Sequence, residues 1–91
     1  MLFVELLKVK AGTPEDRIAR RVEWQYPEGI RPIAEYWLPT EDPAAIVIFE
    51  TDNEDLIFQA SVQWGDLFDI KVIPAITYER GLQFAKQMMQ G

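Results

Sequence analysis

The chain has 91 residues, with 9 Lys+Arg against 15 Asp+Glu and neither cysteine nor histidine, which gives a formal net charge of -6. That length suits one domain over residues 1–91, and 48% hydrophobic with 12% aromatic residues separates it from disordered chains. The missing side chains exclude disulfides, thiol nucleophiles, zinc sites of the Cys/His type, Ser-His-Asp triads and haem held by an axial His or Cys, so neither metal nor cofactor is expected.

Leu2 to Lys10 is apolar over strand length and predicts a first strand. Ala11-Gly12-Thr13-Pro14 then supplies a turn, an N-cap and a proline at the first helical position. The helix it opens carries Ile18, Ala19, Val22 and Tyr26 as a stripe and is expected to run to Pro27-Glu28-Gly29. Ile30–Leu38 and Ala44–Glu50 read as an antiparallel hairpin around the polar loop 39–43. Thr51-Asp52-Asn53-Glu54 matches a capping box with Thr51 as the cap, followed by the stripe Leu56, Ile57, Ala60, Trp64 and Leu67. Asp69–Ile76 predicts a fourth strand, and Pro74 demotes it to an edge. A final helix over Tyr78–Gln90 sets Leu82, Ala85, Met88 and Met89 on one side.

The order βαββαβ plus a C-terminal helix is the ferredoxin-like α+β arrangement, a four-stranded antiparallel sheet with helices on one face and the first and third strands in the middle. Ala45-Ile46-Val47-Ile48-Phe49 is apolar on both faces, and so is nearly all of the first strand. A second copy packed face to face is the simplest cover for the face without helices, so a homodimer is expected. No basic residue lies between Arg31 and Lys71, while Arg17, Arg20 and Arg21 are interleaved with acids, which argues against nucleic-acid and anionic-membrane partners. The opening run Met1–Leu7 is interrupted by Glu5 and too short for a membrane span, so a cytoplasmic protein is expected.

Several short motifs keep a shared order: Met1-Leu2-Phe3-Val4, Gly12 before the first helix, Pro27-Glu28-Gly29 before the second strand, Glu50-Thr51-Asp52, and the run from Trp64-Gly65-Asp66 to Pro74. Together they resemble the family called domain of unknown function 3303, over most of the chain. The resemblance implies the fold of the dimeric α+β barrel superfamily, in which two ferredoxin-like sheets face each other. Glu5-Leu6-Leu7 and the C-terminal helix depart from the family's pattern, and no activity follows from its name.

Centring the hairpin on Glu41-Asp42 places Glu35 and Trp37 on one sheet face with Ile46, Ile48 and Glu50. On the first strand, Glu5 joins Phe3, Leu7 and Val9 in the row assigned to the face without helices, leaving Leu2, Val4 and Leu6 for the helices. Carboxylates gathered in a low-dielectric site raise one another's pKa, so Glu5 and Glu35 are the candidate proton-transfer groups, with Glu50 beside them. Trp24, Tyr26, Tyr36, Trp37 and Trp64 are suited to lining a pocket that takes an aromatic ligand, with Trp37, Trp64 and Tyr36 the candidates, although tryptophans also fill small cores. Asp66 and Asp69 read as turn residues, and Asp52–Asp55 as an acidic helix start lacking the glycine and final Glu of a calcium loop. Phosphate-cradling glycine loops are absent from the sequence. The expected function is binding of a small organic molecule. The alternatives are a cofactor-free monooxygenase-like or isomerase-like enzyme, as the superfamily resemblance implies, and a structural dimerisation module.

Overall fold

The structure is a computed structural model that describes residues 1–90. Seven elements follow in chain order: β1 (Leu2–Val9), α1 (Pro14–Glu23), β2 (Arg31–Trp37), β3 (Ala45–Glu50), α2 (Glu54–Trp64), β4 (Phe68–Ala75) and α3 (Tyr78–Gln90). The strands form one sheet in the order β2-β3-β1-β4, every neighbouring pair antiparallel, with β1 and β3 central and Pro74 on an edge strand. This is the ferredoxin-like arrangement expected from the sequence.

Each helix start has a local chemical reason. Thr13 accepts from the Asp16 amide while the Asp16 carboxylate accepts from the Thr13 amide, a reciprocal cap ahead of Pro14. α1 ends at Glu23, a turn earlier than expected, because Pro27 disfavours helical backbone at Tyr26 and the chain is already extended at Trp24. For α2 the cap is Asn53 and not Thr51, since the Asn53 side chain accepts from the Asp55 amide. The Thr51 hydroxyl turns inward instead, donating to the Gly29 carbonyl at 3.0 Å and accepting from the Asn53 amide at 3.1 Å.

The core lies between the sheet and the first two helices. Phe3, Leu7, Val47 and Phe49 from the central strands are buried against Trp64 at the end of α2 and against Leu67 and Phe68, and the Phe3 and Phe49 rings stack at 5.4 Å. The helices therefore cover the Phe3/Leu7 row, the reverse of the assignment made from sequence, and Leu2, Val4 and Leu6 occupy the open face. Both rows of β1 are apolar, so alternation alone carries no information about which one the helices choose.

A second correction concerns β2. The hairpin is centred on Glu41 alone, so that Glu35 pairs with Val47, Tyr36 with Ile46 and Trp37 with Ala45. Shifting the centre by half a residue exchanges the faces of β2 relative to β3. A bulge between Pro32 and Ala34 then shifts the pairing again, bringing Arg31 opposite Glu50.

α3 contributes no buried residue. With it the molecule extends 53 Å along its longest axis, and its radius of gyration is 15.5 Å, where a compact chain of this length has about 12 Å. No helix among the described residues is long and apolar enough to cross a membrane.

Candidate functional site

A cleft of about 460 Å³ opens between the helix-covered face of the sheet, α1, α2 and the β2–β3 loop. Its volume lies within the range of small-molecule sites. Glu5 and Glu35 both pair with Val47 from opposite sides, which puts β1, β3 and β2 in one row with both carboxyls aimed into the cleft. Trp37 and Trp64 line it as well. Four of the six residues singled out in the sequence thus come together, on the helix-covered face. Tyr36 and Glu50 do not. They fall on the opposite face by strand alternation, and Glu50 pairs with Arg31 at the end of the sheet.

Glu35 is fully occupied. One carboxylate oxygen accepts from Arg21 Nη2 at 2.9 Å and from the Tyr26 hydroxyl at 2.5 Å, and the other accepts from Arg21 Nε at 3.0 Å and from Trp37 Nε1 at 2.7 Å. Burial alone would raise its pKa, but the hydrogen bonds from Arg21, Tyr26 and Trp37, together with the Arg21 charge, hold it down to about 2. A carboxylate so engaged anchors its neighbours and does not exchange protons near neutral pH. It fixes the Trp37 indole at the mouth of the cleft, and burial followed by the bond to Glu35 pushes the Tyr26 hydroxyl up.

Glu5 is its opposite. Among the described residues no group donates a hydrogen bond to its carboxyl, and its surroundings on β1, β3 and α2 are apolar side chains such as Leu7, Val47 and Ile57. Burial, reinforced by the nearby Glu35 charge, pushes it up to about 7. Two carboxyls in one row therefore have divided properties, one a permanent anion and the other able to gain or lose a proton near neutrality.

Trp24 and Tyr26, among the aromatics weighed as pocket lining, also reach the cleft, and the residue that sequence reasoning did not place here is Arg21. Arg21 lies in the basic cluster weighed only for its interleaving with acids, and nothing in the spacing of 14 residues between it and Glu35 marks a pair. In the fold, the Arg21 guanidinium stands over the rings of Trp24 and Tyr26, at 5.7 and 5.3 Å from their centroids. Arg20 on the same helix reaches the far end of α2, making two bonds to Asp66 at 2.6 and 2.8 Å, while Trp24 Nε1 donates to the Gln63 side chain at 2.7 Å. Asp66 is thus the clasp between α1 and α2, more than the turn residue it was taken for. Among the described residues, no group of three or more Asp and Glu is arranged to hold a metal ion.

Fold and site together define a small ferredoxin-like α+β protein with a carboxyl-lined cleft between its helices and sheet. A family model described as Domain of unknown function (DUF3303) matches residues 1–89, and the chain belongs to that family. No curated protein and no solved structure was found to match it.

Proposed function

We propose that the protein binds a small organic molecule in the helix–sheet cleft, with Glu5 as the polar group that meets it. The observation that carries this reading is a hydrogen-bonding carboxyl without a partner in a largely apolar cleft of about 460 Å³. A pocket with apolar walls and one or two placed polar groups is the ordinary form of a small-molecule site. The test is a fragment screen read by the chemical shifts of the Trp37 and Trp64 indole N–H groups, repeated on Glu5→Gln. Hits should move both indoles and weaken in the variant. Hits that leave both indoles unmoved, or a screen without hits, would overturn the reading.

A catalytic version is favoured by one further fact, the position of the Glu5 pKa at about 7, where a group serves equally as proton donor and acceptor. In such a reaction Glu5 moves the proton, while Glu35 only holds Arg21, Tyr26 and Trp37 in place. The cofactor-free enzyme reading therefore rests on Glu5 rather than on Glu35.

The second part of the proposal is a homodimer. Leu2, Val4, Leu6, Ile46, Ile48 and Ile73 lie on the face opposite the core, and none of them belongs to the buried cluster or packs against it. An apolar surface across the two central strands, bordered by Lys71 on β4 and Glu50 at the end of β3, is one that isolated proteins seldom leave in water, and a second copy of the same face is its simplest cover.

A further inference from the structure

We propose that the ligand of the cleft is an organic cation, a primary ammonium group on a flat apolar body, whose charge pairs with Glu5. This rests on the cleft being a binding site and names the chemistry it selects. The charged groups facing Glu5 can be taken element by element. β2 brings Glu35 and α1 brings Arg21, and these two neutralise each other. Arg21 spends its remaining amino group on the Trp24 carbonyl at 3.1 Å. Arg17, at the start of α1, donates to the Ala11 and Gly12 carbonyls at 3.1 and 2.9 Å, and Glu41 sits on the rim loop. Tyr26 is held by Glu35. From β3, β4 and α2 only uncharged side chains reach the cleft. Glu5 is therefore the one interior carboxyl without a counter-ion among the described residues. An anionic ligand would add a second buried negative charge beside it, whereas a monocation leaves the cleft neutral.

The aromatic lining agrees. Trp24, Tyr26 and Trp64 already carry a guanidinium over their rings, whereas among the described residues no cation stands over Trp37. Its indole is pinned by the bond to Glu35, so a lining ring not already stacked on a cation is held in place without cost in side-chain freedom when a ligand enters. The net charge of -6, with no basic residue from 32 to 70, favours the approach of cations over anions.

The experiment compares benzylamine, benzyl alcohol and benzoate, three probes of one shape and three charges, by titration of the indole N–H shifts. At pH 8 benzylamine is expected to bind at least about tenfold tighter than benzyl alcohol, with benzoate weakest. Because the ammonium pairs with the ionised form, benzylamine affinity should fall about tenfold between pH 8 and pH 6 as Glu5 takes up its proton. In Glu5→Gln both the preference and the pH dependence should vanish, while Trp37→Leu should weaken benzylamine more than the alcohol. Benzyl alcohol binding as well as the amine, or an amine preference that survives Glu5→Gln, overturns the ligand class and leaves the cleft itself standing. Failure of all three probes to move the indoles overturns both readings.

Discussion

At the scale of single residues, the two carboxyls of the cleft set opposite limbs of a stability curve. Glu5 is raised from its ordinary 4.5 to about 7, so between those values the folded chain holds a proton that the unfolded chain has released. Its contribution is complete below about pH 4.5, falls as pH rises and levels off above 7, a total of about 3 kcal/mol. Glu35, depressed to about 2, contributes above pH 4.5 and loses that contribution as pH falls. These two groups alone put maximal stability near pH 4.5. Urea denaturation at pH 4.5 and pH 8 should show the chain weaker at pH 8, and Glu5→Gln should remove that loss. An unaltered slope in the variant would mean that Glu5 is not the group responsible. Glu35→Ala acts differently: it strands Arg21 and Tyr26 and frees Trp37, with an expected cost of about 2 kcal/mol at neutral pH and a loss of indole order visible by fluorescence anisotropy.

At the scale of elements, the turn before β2 is tied to the start of α2. Gly29 has φ of 102°, a left-handed backbone, and a Cβ placed there would come within 2.6 Å of Leu56 Cδ1 on α2. Gly29→Ala is expected to cost about 2 kcal/mol or more, seen as a lower denaturation midpoint with unchanged slope. Element identity and order were legible in the sequence because caps, prolines and stripes are local signals: Thr13-Pro14 opens α1, and Pro74 marks an edge strand. Faces were not legible. Which row of β1 meets the helices depends on contacts with Trp64 and Leu67, more than fifty residues away, and the face of β2 turned on half a residue in the hairpin centre. Glu35 and Trp37 were grouped by period-2 alternation within β2, but Glu5 stayed with them only because the reversed face of β1 and the half-residue error in the hairpin centre cancelled, and that same half residue lost Glu50 from the group. Arg21 and Tyr26 carried no signal that pairing on Glu35 would bring them in.

At the scale of the whole molecule, the chain has one apolar sheet face and one exposed helix to account for. Met88 and Met89 are 67% and 87% exposed, and Leu82 is 54% exposed, so the stripe on α3 has no partner within the described chain. A homodimer should give twice 10.6 kDa by light scattering at micromolar concentration. Ile48→Asp, which sets a charge opposite Val4 in the middle of the open face, should give monomers or insoluble protein. A parent chain that scatters as a monomer would dispose of the dimer, and a variant that stays a stable dimer would move the interface elsewhere. Beyond assembly, the position of β1 has a consequence for how the chain reaches its fold. β1 sits between β3 and β4, with residue 2 paired to residue 75. Two of the three strand pairings, β1 with β3 and β1 with β4, thus join segments distant in sequence, and only the β2–β3 hairpin is local, which raises the contact order and slows folding. During synthesis the apolar β1 must wait for β3 and β4 to emerge before it can pair, which leaves it in need of protection such as a chaperone gives.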